Sequence, residues 1–115
     1  MKKTTLLPLL FLSVFTLSLL SFAPSKKVIA VVFNKEMTKQ DLLSLQKNLK
    51  EKNIILVYNK IQFTKNRLSY IDFSIDFGDG FSGASKSAIS KSKEIGFIRD
   101  YNDNAEHPFL VGDLK

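Results

Sequence analysis

Cysteine and tryptophan are absent from the 115 residues, and histidine occurs once. Without a thiol there is no disulfide framework, no thiolate metal site, no cysteine nucleophile and no lipidated cysteine. A structural zinc ion would have to be held mainly by carboxylates, which such sites rarely use. A serine-histidine-aspartate triad would rest on His107 alone. Arginine occurs only at positions 67 and 99, too few for the arginine clusters with interleaved aromatics that grip nucleic acid. No glycine precedes Thr38, where the predicted helix begins, so no glycine-rich loop leads a strand into a helix to cradle a phosphate.

The first segment has the pattern of a targeting signal. Lys2 and Lys3 form a basic start, and Leu6 to Leu20 is an apolar run without a charge, short for a comfortable membrane span. Small residues at Ala23 and Ser25 favour cleavage after Ser25, because a cut after Ala23 would leave Pro24 beside the scissile bond. The alternative is an uncleaved anchor. Cleavage would leave 90 of the 115 residues, and the loss of two lysines would lower the formal net charge from +6 to +4. The expected organisation is a signal peptide at 1–25, a small α+β domain at 26–101 and a C-terminal tail at 102–115. The expected localisation is periplasmic or secreted, with no stable membrane insertion once the signal is removed.

Val28 to Phe33 is a continuous apolar run of strand length, read as a central strand covered on both faces. Thr38 and Asp41 form a capping box, with Met37 and Leu42 as a hydrophobic staple. Leu42, Leu45 and Leu49 then recur at helical spacing, Leu43 widens the stripe, and Asn53 suits a left-handed helix end. From Ile54 the period shortens to two. Ile54 to Thr64 and Leu68 to Phe77 read as a hairpin about Lys65-Asn66-Arg67, with Ile71, Phe73, Ile75 and Phe77 on its buried side. Gly78-Asp79-Gly80 is a tight turn, Phe81 to Ile89 a short further strand, and Ile95 to Tyr101 another. Residues 82–93, rich in serine and lysine, are expected to be the least ordered part after the signal. The fold class is α+β: one helix packed on a mainly antiparallel sheet of three to five strands, in β-α-β-β-β order. One helix covers one sheet face only. The second face calls for the C-terminal Phe97, Ile98, Phe109, Leu110 and Val111, a protein partner, or self-association.

Candidate sites are few. Asp72, Asp76 and Asp79 would converge on calcium if Asp79 folded back, but the EF-hand spacing and its terminal glutamate are missing. Asp72 and Asp76 are roughly 13 Å apart along a strand, too far for a paired acid and base on one glycosidic bond. His107 stands in a polar segment near Asp103 and Glu106 and reads as a surface imidazole. No catalytic, cofactor-binding or metal residues are therefore assigned, and no cofactor and no nucleic-acid partner are expected.

Two resemblances bear on function. The order of a strand, Asn34-Lys35-x-Met37-Thr38-x-x-Asp41-Leu42, a lysine-rich leucine helix ending in Glu51-Lys52-Asn53-Ile54, and a hairpin running into Asp79-Gly80-Phe81-Ser82-Gly83 resembles the periplasmic segment of antibiotic-sensor-type regulatory membrane zinc peptidases of Bacteroidota. It covers residues 34–84. The peptidase His-Glu-x-x-His is absent, so the resemblance implies an exported bacterial domain and no catalysis. Ile75-Asp76-Phe77-Gly78-Asp79-Gly80 is similar to the Trp-Asp-Phe-Gly-Asp-Gly of polycystin-type repeats, yet the Trp and the downstream His-x-Tyr are missing and a helix precedes the motif. The expected function is an exported, non-catalytic binding or interaction module, sensory or regulatory in role. The alternatives are a small exported hydrolase and a membrane-anchored envelope structural protein.

Overall fold

The computed structural model describes residues 28–115; the signal expected at 1–25 and its cleavage site lie outside them. Six strands and one helix follow one another as β1 (Val28–Val32), α1 (Lys39–Lys50), β2 (Ile55–Thr64), β3 (Arg67–Asp76), β4 (Ser82–Ala88), β5 (Ile95–Asp100) and β6 (Phe109–Asp113). They form two antiparallel three-stranded sheets, β1-β5-β6 and β2-β3-β4.

Local chemistry sets the element ends. At the start of α1 the Thr38 hydroxyl accepts from the Asp41 amide at 3.1 Å, and the Asp41 carboxylate accepts from the Thr38 amide at 2.9 Å. Two of the helix's orphan donors are thereby satisfied. Lys47 and Lys50 sit in the last turn, where the helix dipole favours cations, and Asn53 takes the left-handed conformation (φ 63°) that ends the segment. The β2–β3 turn places both Lys65 (φ 54°) and Asn66 (φ 65°) at positive φ, as the tight hairpin turn matched to strand twist requires. Asn66 suits that conformation, and Lys65 adopts it against its own preference.

The two sheets share one core. Phe73 of β3 and Phe97 of β5 are fully buried, and Phe33, just after β1, is nearly so. Their ring centroids lie 5.0 to 6.2 Å apart. Phe77 extends this cluster from Phe97 to Phe109. The helix contributes Leu42 and Leu49 to the same core and leaves Leu43 exposed. It lies against β2, an edge strand, where the Gln46 amide donates to the Leu56 carbonyl at 2.7 Å and the Tyr58 hydroxyl to the Leu42 carbonyl at 2.6 Å. On the inner side of β4, Gly83 leaves room that a Cβ would take from Val111, 2.7 Å from its Cγ1. Small residues on β4 thus let β6 approach.

Several expectations change. There are six strands in two sheets rather than three to five strands under one helix, because the face to be covered is met by a second sheet. The segment expected as a tail contributes β6, paired with β5 from Ile95↔Asp113 to Arg99↔Phe109. Phe97, Phe109 and Val111 do pack inward, but Ile98 and Leu110 are opposite one another on the outer face, since residues alternate along a strand. The strand expected within Phe81 to Ile89 is present at 82–88, paired with β3, where poor order was also expected: the backbone ladder needs no apolar side chains, and alternate small residues fit the inner face. Val28 to Val32 is an edge strand, with Val28 50% and Val32 38% exposed. Its uniform apolarity reflects one partly buried face, Ile29 and Val31, and one apolar outer face.

Candidate functional site

The three aspartates weighed as an ion site have separate tasks. Asp72 lies on the outer face of β3, between Lys60 of β2 and Lys86 of β4 in the cross-strand register, and accepts from the Asn59 side-chain amide at 3.3 Å. Asp76 accepts from the Gly78 amide at 2.8 Å, which closes the start of the turn. Gly78 has a φ of 73°, a value that favours glycine. Asp79 turns toward β5. Its carboxylate accepts from Arg99 Nε at 2.9 Å and lies 2.8 Å from Arg99 Nη2, while its other oxygen accepts from the Phe81 amide at 3.2 Å. Among the described residues no group of three or more histidines and carboxylates converges on a point that could hold a metal ion.

Arg99 is the residue whose importance the sequence did not reveal. Its guanidinium carbon lies 4.3 Å from the ring centroids of both Phe81 and Tyr101. Its Nη1 donates to the Asp100 and Pro108 carbonyls at 2.8 and 3.1 Å. The planar fork and stacking surface of arginine serve these contacts together. Only 11% of the side chain is accessible. One cation therefore ties the β3–β4 turn to β5 and to the loop before β6. Desolvation would raise the Asp79 pKa, but the Arg99 hydrogen bond, the Phe81 amide and the attraction of the guanidinium outweigh it and hold the carboxyl below its usual range. Spacing along the chain could not reveal the clamp, because its partners lie in different loops.

The other perturbed groups are structural as well. The Asn102 amide and side chain lower the Asp100 pKa, and the Glu94 and Lys115 amides lower that of Asp113. Burial raises the Tyr58 phenol, which donates to the helix carbonyl. His107 is exposed in the loop between β5 and β6.

Among the surface depressions is a groove of about 430 Å³ between α1 and β2. Leu43, Gln46, Lys47 and Lys50 line it from the helix, and Ile54 to Val57 from the strand. Leu43, Ile55 and Val57 are 45, 47 and 42% exposed. A carboxylate is missing from the lining, so the two lysines give it a positive rim. No family model, no curated protein and no solved structure matches the chain.

Proposed function

We propose that this protein is an exported, non-catalytic binding module that receives an acidic peptide segment with apolar side chains in the groove between α1 and β2. The observation that carries this reading is the apolar floor of Leu43, Ile55 and Val57 beneath Lys47 and Lys50. Exposed leucine, isoleucine and valine beside one another are a standing reason for a partner. The lysines favour one that brings carboxylates. The signal-like N-terminus and the resemblance of residues 34–84 to a periplasmic sensor segment support an exported setting.

The test is a titration of the isotope-labelled protein with extended peptides that alternate leucine with glutamate, and with matched peptides that alternate leucine with lysine. Amide shifts centred on Leu43, Gln46, Ile55 and Val57 are expected with the acidic series alone. They should weaken about tenfold in a Lys47→Glu, Lys50→Glu double variant, the equivalent of roughly 1.4 kcal/mol. Equal binding of both series, or shifts mapping elsewhere, would overturn the reading.

A further inference from the structure

Three of the four sheet edges are shielded. Helix α1 covers β2, with Gln46 occupying the Leu56 carbonyl, and that strand also has register shifts near Tyr58 and Gln62. The β4 and β6 edges lie beside one another, within 8 Å between Cα atoms, and β6 is irregular at Gly112 (φ 114°). Helices, bulges and distorted strands are the usual means of blunting an edge.

Among the described residues the β1 edge has none of these. β5 is the only helix or strand among the described residues with a Cα within 8 Å of β1. The Phe33 amide donates to the Ile95 carbonyl at 2.8 Å. By alternation in an antiparallel ladder, Ile29 and Val31 also turn their main-chain groups to β5, and Val28, Ala30 and Val32 turn theirs outward. Among the described residues these three make no main-chain contact to a loop or side chain. The strand has no charge, proline or glycine in its sequence Val-Ile-Ala-Val-Val.

Read backward the sequence is Val-Val-Ala-Ile-Val, which differs from the forward one only by the exchange of Ile29 and Val31. An antiparallel pairing centred on Ala30 sets Val28 opposite Val32 and Ile29 opposite Val31, so every pair beyond the central alanines joins two β-branched residues, which stabilise cross-strand contacts. The central pair falls at an outward-facing position, as a hydrogen-bonded pair requires.

We infer that β1 is a self-pairing edge and that its partner is β1 of a second copy, related by a two-fold axis through Ala30. The pairing makes roughly six main-chain hydrogen bonds and joins the two small sheets into one, ordered β6-β5-β1-β1-β5-β6. Val28, Ala30, Val32, Ile98 and Leu110 of both copies then lie on one outer face, interrupted by Asp100 opposite Val28. The paired edge is about 16 Å long, and its contact is smaller than the roughly 800 Å² per partner of a standard stable interface. The dimer is accordingly weak and concentration-dependent. This contact is separate from the α1–β2 groove.

The experiment is sedimentation velocity on the protein produced from its complete sequence, over a roughly hundredfold concentration range, with amide hydrogen exchange at both ends of the range. A shift from monomer to dimer is expected, with exchange at Ala30 and Val32 slowing as dimer forms. Ala30→Pro removes an outward amide that β5 does not use, and should weaken dimerisation at least roughly tenfold. Ala30→Lys places like charges opposite one another at the axis and should do the same, which keeps the test decisive if the proline variant unfolds. Ala30→Thr should dimerise as the parent does. A protein monomeric at every concentration, exchange at Ala30 and Val32 that ignores concentration, or an Ala30→Lys variant that dimerises normally would each overturn the inference.

Discussion

The outer faces of the two sheets differ in a way their inner faces do not. On β2-β3-β4 the outer rows read Val57-Ser74-Ala84 and Lys60-Asp72-Lys86 across the strands, with polar or charged residues along the central strand. On β1-β5-β6 they read Ala30-Ile98-Leu110 and Val32-Gly96-Gly112, and Asp100, opposite Val28, is the one charged residue in the outward-facing pairs. Water solvates the first face through its alternating charges. The second offers little but hydrocarbon and glycine, so its exposure is costlier and its edge better suited to another chain. Folding requires only the shared interior; the contrast outside it supports the proposed pairing at β1.

The largest expected effect comes from breaking what the sheets share. Phe73→Ala removes a fully buried ring packed against Phe33 and Phe97 and should cost about 3–5 kcal/mol. Thermal unfolding followed by circular dichroism should show both sheets lost in one transition. Separate melting of the sheets would show that the core does not couple them.

A smaller loss is expected at the clamp between the sheets. Arg99→Lys keeps a cation but gives up the forked contact to Asp79 and stacking on Phe81 and Tyr101, for about 1–3 kcal/mol measured by urea denaturation. The pH dependence has a definite sign. Because the folded-state pKa of Asp79 lies below its unfolded value, its contribution is present above the unfolded pKa, near 4, and is lost as pH falls through the folded value. Asp100 and Asp113 act in the same direction. Asp79→Asn should therefore flatten the acid limb of stability against pH and leave the neutral plateau lower.

The smallest effect sharpens the contrast between the outer faces. Leu110→Thr changes a side chain 36% exposed on the apolar face and should move stability by only about 0.5 kcal/mol. Binding of a hydrophobic fluorescent dye should fall measurably. The same dye response after Ala84→Thr on the polar face would show that the two faces do not differ in this respect.

Much of the local structure was legible along the chain. Thr38 and Asp41 announced the helix start, Asn53 its end, and alternation from Ile71 to Phe77 the buried side of β3. Phe81 to Ile89 was read as a short strand, as β4 is, but its serine-rich end was also expected to be poorly ordered, because composition measures the driving force for burial and says little about a strand held by its neighbour's backbone. Likewise, Phe109-Leu110-Val111 was recognised as apolar, but pairing with β5 depends on a loop that returns the chain beside Ile98. The candidate groove was less legible still. Leu43 counted as part of the helical stripe, until the helix's position on β2 left it exposed beside Ile55 and Val57.

The sequence by itself determined the α+β class, the capped helix, the hairpin turn and the residues suited to a core, because capping, turn conformation and side-chain period act over a few residues. Tertiary structure decided that the strands divide into two sheets, that Asp79 serves Arg99 rather than its neighbouring aspartates, and that β1 is an edge strand. Those outcomes depend on which distant backbones pair and how closely they approach. Gly96 illustrates the reason: an added Cβ there would overlap the Val31 carbonyl oxygen, a constraint that exists only once β5 has been laid against β1.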